Sequence, residues 1–308
     1  MSRYDVVVAG GGLAGLTAGL FSARCGCSTL VLAPEGPGGT LVNIGHVEEF
    51  PAIPQGIPGF ELGPLAYEQA ADAGAELTMA TVTRLEAHDG GWLVAADTET
   101  YEAGAVIVAT GSRPRRLGVP GEEELFGKGV SHCASCDGPL FRDRTVAVLG
   151  GGDSALLEAL ELTKCGTRVV LLDSAEALCA QETYQRRVRD DPAIEVRHDT
   201  VVAEILGDSA VAGARTRDVG TGEPADLDVS GVFIYVGREP NTAFLDGVLP
   251  LGRDGRVPTD ARMRTERPGL FAAGDVRSDS ACQAITAAGD GATAAIAADA
   301  YLRGGTSV

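Results

Sequence analysis

Positive charge is scarce in this chain: 25 Lys and Arg stand against 43 Asp and Glu, for a net charge of −18. Such a field repels phosphate-rich surfaces and disfavours nucleic acid or an anionic membrane as a partner. No apolar stretch reaches the roughly 18 residues needed to cross a bilayer. Cysteine is sparse and odd in number, seven in 308 residues, which argues against a disulfide scaffold. Histidine is scarcer still, and His46, His88 and His198 have no metal-ligand spacing. Repeats and low-complexity tracts are absent. The opening Met1-Ser2-Arg3-Tyr4-Asp5 runs directly into a buried-strand pattern, without the segments of an export signal, so a cytoplasmic location is expected.

Glycine is abundant instead. Its 42 residues are about twice the average share of roughly 7%. The length suits two domains, and 44% apolar residues suffice for full cores. Tyr4 to Ala9 reads as a central parallel strand, apolar without alternation. Gly10-Gly11-Gly12-Leu13-Ala14-Gly15 then matches G-x-G-x-x-G and opens an apolar helix to about Arg24. A strand over Ser28 to Ala33 follows. Between strand and helix this motif signals dinucleotide binding, because its glycines let the backbone approach a pyrophosphate at the helix start. Gly10, Gly12, Leu13, Ala14 and Gly15 are therefore candidate cofactor contacts. Glu35, the first carboxylate after the second strand, is a candidate ribose ligand or an ordinary loop charge. Ala105 to Gly111 is a further buried strand ending in the small turn Ala109-Thr110-Gly111, and Gly269 to Asp275 another ending in Gly274-Asp275.

The pattern recurs. Thr145 to Leu149 reads as a strand, and Gly150-Gly151-Gly152-Asp153-Ser154-Ala155 matches G-x-G-x-x-A ahead of a helix from Leu156 to Lys164. The next strand, Thr167 to Leu172, ends at Asp173. Gly150, Gly152, Asp153, Ser154, Ala155 and Asp173 are candidate contacts to a second nucleotide, with Ser154 and Asp153 also placed to cap the helix. Just upstream lies Cys133-Ala134-Ser135-Cys136-Asp137-Gly138. Two cysteines at this spacing can close a small disulfide, and each lowers the other's thiol pKa. A zinc site would need a second CxxC or a His pair to complete four ligands, so no metal is expected.

In combination these motifs resemble the two-dinucleotide-fold flavoprotein disulfide reductases, and more closely the low-molecular-weight thioredoxin reductases. The resemblance also rests on the Gly38-Gly39 turn, Val47 to Pro51, Val119 to Glu122, Gly237-Arg238-Glu239-Pro240-Asn241-Thr242 and Gly274-Asp275-Val276. It implies an α/β fold of two Rossmann-like dinucleotide-binding domains, the second inserted into the first. Residues 1–113 and 242–308 would bind FAD, and 114–241 would form the NAD(P)-binding-like domain carrying the CxxC. The resemblance makes Asp275 a flavin ligand and adds Gly39, Thr40, Ala109, Thr110, Gly111, Gly274, Gln283 and Ala284 to its pocket, with Gly237 beside the second nucleotide. The helix from about Ala284 to Leu302 would point its N-terminus at the flavin. It also implies a homodimer and a thioredoxin-like protein, or a small-molecule disulfide or dithiol, as partner.

Departures from the pattern carry information. NADPH-linked members bear a His-Arg-Arg cluster after the second strand of this fold, where the chain has Asp173-Ser174-Ala175, and Cys179 where a later Arg is expected. A 2′-phosphate wants guanidinium partners, whereas Asp173 would repel it and accept from a free 2′-hydroxyl. NADH is admitted and NADPH disfavoured. Thr40, Glu49 and Cys282 replace residues common in the family. Cys282 is expected to be packed, and Cys25, Cys27 and Cys165 to be small core residues near helix ends.

The resemblance assigns Cys136 to the flavin side and Cys133 to attack on the substrate disulfide, with Asp137 moving a proton for the dithiol. Hinges between the domains are expected near Arg113 to Arg116 and Pro240 to Thr242. Rival readings are a flavin dithiol oxidase linked to oxygen, a reductase fed by ferredoxin, and a non-catalytic nucleotide sensor.

Overall fold

The computed structural model of the chain describes residues 1–304. It divides into two compact units: Met1–Arg113 together with the chain from Glu239 onward, and Pro114–Arg238. The return to the first unit thus falls after residue 238 rather than 241.

In the first unit a parallel layer runs in the order Glu76–Thr78, Thr29–Leu32, Ser2–Ala9, Glu99–Val108, Leu270–Ala272. The antiparallel strands Gly91–Ala96 and Val82–His88 extend from the early half of Glu99–Val108. Sequence pattern explains the layering. Val6 to Ala9 are fully buried because both faces of the sheet are covered. Val6 and Val8 pack with Ala14, Ala18, Ala294 and Ala298 from helices Leu13–Arg24 and Ala284–Leu302. Val7 and Ala9 pack on the other side with Leu85, Trp92 and Val94. The two helices need small residues where they meet: a Cβ on Gly291 would lie 2.1 Å from the Ala14 carbonyl oxygen. Helix Ala284–Leu302 is opened by a capping box of Gln283 and Thr286, which satisfies two amides that the helix itself leaves unpaired.

The second unit repeats the plan. Its parallel sheet runs Ile194–Arg197, Arg168–Leu172, Thr145–Leu149, Val232–Ile234, Val130–Ser131. Val146, Val148, Val169 and Leu171 face Leu156 and Leu160 of helix Asp153–Lys164. Ala147, Leu149, Val170 and Leu172 face the antiparallel strands Thr200–Gly207, Val211–Asp218 and Pro224–Leu227. Both units are Rossmann-like, with helices on one face and an antiparallel meander on the other, in agreement with the α/β expectation.

Helix Asp153–Lys164 begins three residues before the expected Leu156, directly at the glycine turn. The lone cysteines require correction. Cys25 and Cys165 are the C-caps of helices Leu13–Arg24 and Asp153–Lys164, and with Cys27 they are half-buried rather than core. Cys282 is exposed, not packed, because its backbone turns through the left-handed region at φ 53° just ahead of the last helix.

Candidate functional site

The first glycine turn is built for close backbone approach. Gly10, at φ 119°, would place a Cβ 2.2 Å from the Ala109 carbonyl oxygen, so a side chain is impossible there. Around Gly12, by contrast, an added Cβ would meet nothing within 4 Å. No side chain caps helix Leu13–Arg24, so the amides of Ala14 and Gly15 in its first turn remain available to an anion. Gly38 donates its amide to Gly11 O at 2.8 Å, bringing the turn at Gly39 and Thr40 against the glycine loop. Glu35 is exposed at the end of the second strand. Open space over the loop, free amides and an acidic residue beyond fit the pyrophosphate and ribose of a dinucleotide such as FAD.

Other segments converge on the same sheet edge. Asn241 ties down the turn at Ala109, Thr110 and Gly111: its Nδ2 donates to Thr110 O at 2.9 Å, and its own amide donates to Gly111 O at 3.0 Å. Thr110 Oγ1 in turn donates to Asn241 O at 2.8 Å. Ser112 Oγ donates to Asp275 Oδ2 at 3.2 Å, and Arg256 Nε donates to Asp275 O at 3.1 Å. Beneath this turn is a buried ion pair that sequence reasoning missed. Arg277 grips Asp290 through Nε to Oδ2 at 2.6 Å and Nη2 to Oδ1 at 3.0 Å, and Asp290 Oδ2 also accepts the Gly274 amide at 3.1 Å. The clue was an Asp inside an otherwise alanine-rich apolar helix, since a buried charge needs a partner. Gln283 and Ala284 open that helix, as expected.

In the second unit Cys133 and Cys136 close a disulfide with Cα atoms 5.3 Å apart. Cys133 is half-buried and Cys136 exposed. Cys133 is also the N-cap of the short helix Ala134–Asp137: its Sγ accepts the Cys136 amide at 3.2 Å. Asp137, half-buried, ends that turn. Behind it stands a second feature missed from the sequence, the carboxyl of Glu158. Its Oε2 accepts the Ala134 amide at 2.8 Å and the Tyr235 hydroxyl at 3.1 Å. Glu158 follows buried Ala155 by three residues and precedes buried Leu162 by four, so helical spacing alone puts it on the core face. Burial pushes its carboxyl up to about 7, against the two hydrogen bonds that pull it down. Burial, reinforced by the Glu158 charge, likewise raises Tyr235, which keeps its hydroxyl proton.

The remaining CxC pair differs from this dithiol. Cys25 and Cys27 are free thiols. Burial first, and then the Asp299 carboxylate, push Cys27 up to about 11, so it stays protonated at neutral pH.

The second glycine loop has its own neighbours. Gly150, at φ 125°, would put a Cβ 2.3 Å from the Tyr235 carbonyl oxygen, while Gly152 would meet only Cys179 Sγ, at 3.9 Å. Gly152 is the N-cap of helix Asp153–Lys164 and no side chain caps it, which corrects the capping expectation for Asp153 and Ser154. Asp153 instead accepts Gln181 N and Nε2, both at 2.7 Å. The amides of Cys179 and Ala180 donate to Gly151 O at 2.9 and 3.0 Å, folding that segment over the loop. Asp173 is buried, with its carboxylate against Gly151: a Cβ there would fall 2.0 Å from Oδ2. Residues 173–181 include no Lys or Arg. Gly237 is open, meeting only Arg115 Nη1 at 4.0 Å.

Comparison with known proteins agrees with this geometry. The sequence profile of the pyridine nucleotide-disulphide oxidoreductase family matches residues 4–292. The chain is 42% identical to the thioredoxin reductase of Streptomyces coelicolor over 304 residues, 97% of this chain and 94% of that one. It is 39% identical to that of Treponema pallidum over 302 residues, 97% of each chain. Among solved structures, Lactococcus lactis thioredoxin reductase in its FR conformation superposes with a TM-score of 0.95 at 38% identity, covering 98% of this chain and 99% of that one.

Proposed function

The chain belongs to the pyridine nucleotide-disulphide oxidoreductase family, and on that premise we propose that it is an FAD-dependent thiol–disulfide reductase of the thioredoxin reductase type. The observation that carries the reading is the Cys133–Cys136 disulfide, set beside one nucleotide loop in a chain that has a second, complete one. A bound flavin supplies two-electron transfer between a nicotinamide and this disulfide. Gly10, Gly12, Leu13, Ala14 and Gly15 hold its pyrophosphate, Glu35 its ribose, and Asp275 its ribityl chain. Gly39, Thr40, Ala109, Thr110, Gly111, Gly274, Gln283 and Ala284 shape the pocket.

Of the two sulfurs, Cys133 attacks the substrate disulfide and Cys136 serves the flavin side. The Cys136 amide, aimed at Cys133 Sγ, supports negative charge on that sulfur once the bond opens. Asp137 passes protons to and from the dithiol. The substrate is a thioredoxin-like protein, since exchange needs an exposed sulfur and a docking surface rather than a closed pocket. A second copy of the chain completes a homodimer. Exposed Phe60 and Leu65 on helix Gly59–Asp72, with exposed Val42 nearby, offer the first unit apolar surface for it.

The nicotinamide is NADH rather than NADPH. Gly150, Gly152, Ser154, Ala155 and Gly237 line its site, and Asp173 accepts from the adenosine 2′-hydroxyl. The acidic Asp173 and the lack of any cation over residues 173–181 support this choice. The same observation favours a second reading, in which electrons enter from a dithiol or another donor. An anaerobic titration separates them. Flavin absorbance bleached rapidly by NADH and slowly by NADPH is the expected result. Rapid bleaching by NADPH refutes the Asp173 argument, and bleaching by a dithiol alone establishes the second reading.

A further inference from the structure

Glu158 has no part in the chemistry described so far, yet it touches the redox turn directly. Ala134, whose amide it accepts at 2.8 Å, is fully buried and follows Cys133 in sequence. The Tyr235 hydroxyl holds the same oxygen at 3.1 Å. Packing alone would be served by an apolar residue, and an amide acceptor by glutamine; an ionisable group is the costly choice. We propose that Glu158 is a positioning residue for the Cys133–Cys136 pair, fixing its first turn and setting how many protons the thiol–disulfide step takes up. This rests on the reading of Cys133 and Cys136 as the working dithiol.

The electrostatics support it. The charged groups that act most on the pair of Glu158 and Tyr235 are both acidic: Glu161, on the same helix, raises Glu158, and Asp137, at the end of the redox turn, raises Tyr235. Helix Glu182–Asp190 meets this core with Tyr184 and Val188. Burial has already brought the carboxyl to about 7, so a new negative sulfur nearby drives it further toward the protonated form.

The step balances as follows. When a donor dithiol reduces the pair, the Cys133–Cys136 bond breaks, two electrons pass to the two sulfurs, and the donor becomes a disulfide and releases two protons. One proton goes to a sulfur and leaves the other as thiolate. The second goes to Glu158 if the carboxyl began ionised. Above neutral pH the pair therefore takes up two protons, and below it, where Glu158 is already protonated, only one.

The test equilibrates full-length, FAD-loaded protein with dithiothreitol redox buffers on both sides of neutrality and counts free Cys133 and Cys136 by alkylation and mass. Dithiothreitol itself gives up two protons. The wild-type exchange constant is expected to rise tenfold per pH unit below neutral and to flatten above it. In Glu158→Gln the tenfold rise continues above neutral, equivalent to about 30 mV per pH unit for this two-electron couple. In Tyr235→Phe, which keeps the carboxyl and loses its donor, the break moves to higher pH. An unmoved break in both variants, even with lowered melting temperature, would reduce Glu158 to a structural residue and overturn the proposal. Failure of wild-type Cys133 and Cys136 to exchange at all would overturn the functional reading itself.

Discussion

Replacing Asp290 by alanine should loosen the turn that carries Asp275. Asp290 is 6% exposed, and its partner Arg277 has 16% of its side chain exposed. Removing one member of such a pair leaves a buried guanidinium uncompensated, which costs about 3–5 kcal/mol. The Gly274 amide also loses its acceptor, worth about 1–3 kcal/mol if it finds no water. These terms overlap, because Arg277 can lean toward solvent and Gly274 can shift once the clamp is gone. A net loss of about 3 kcal/mol is expected, a large share of the roughly 5–15 kcal/mol that holds a domain together. The loss falls on the turn Gly274–Val276, which carries Asp275. Expressed as flavin affinity, 3 kcal/mol is roughly a hundredfold. Urea unfolding of the loaded protein measures the stability, and flavin fluorescence released on gel filtration measures retention. The double variant Arg277→Met with Asp290→Leu should recover most of the stability, since an apolar pair avoids desolvating two charges. It should not recover flavin retention in full, because the Gly274 bond stays unmade. Should Asp290→Ala cost under about 1 kcal/mol, the value of an exposed pair, and keep its flavin, the clamp argument is wrong.

Two further predictions concern the second unit. Cys133→Ser and Cys136→Ser should each reduce turnover of a disulfide substrate to background while leaving the flavin spectrum in place; either variant retaining more than about a tenth of wild-type turnover would remove the pair from the mechanism. Stability should also depend on pH through Glu158. Its folded value of about 7 lies above the ordinary 4.5, so its favourable contribution is complete below pH 4.5 and is lost as pH rises to about 7. The loss is at most about 3 kcal/mol, and Glu158→Gln should lack it, so that the melting-temperature gap between variant and wild type grows in the variant's favour across that window; a constant gap would contradict the shift.

The glycine loops were legible because their constraint is local. Gly10 and Gly150 are forced by the carbonyls of Ala109 and Tyr235 lying within 2.3 Å of where a Cβ would stand, and a strand–glycine–helix order signals that crowding in one dimension. The cysteine pair was legible for the same reason, as spacing alone lets Cys133 and Cys136 meet. The misreadings have a common cause. Cys282 was expected in a core because free cysteine is commonly buried, but a left-handed turn at the head of the last helix carries it outward. Asp153 was expected to cap its own helix, and Gln181, 28 residues later, claims its carboxylate instead.

The chain by itself therefore determined the two βαβ nucleotide units, the redox pair and the missing cations over residues 173–181, since each depends on neighbours within a few residues. Tertiary structure decided what stands behind them. Arg277 with Asp290, Asn241 with Thr110, and Glu158 with Ala134 and Tyr235 join residues from 13 to 131 positions apart. Such partnerships arise only when folding removes the water that would otherwise satisfy each charge and amide, and only then does an acidic side chain acquire the particular donor that gives it a role.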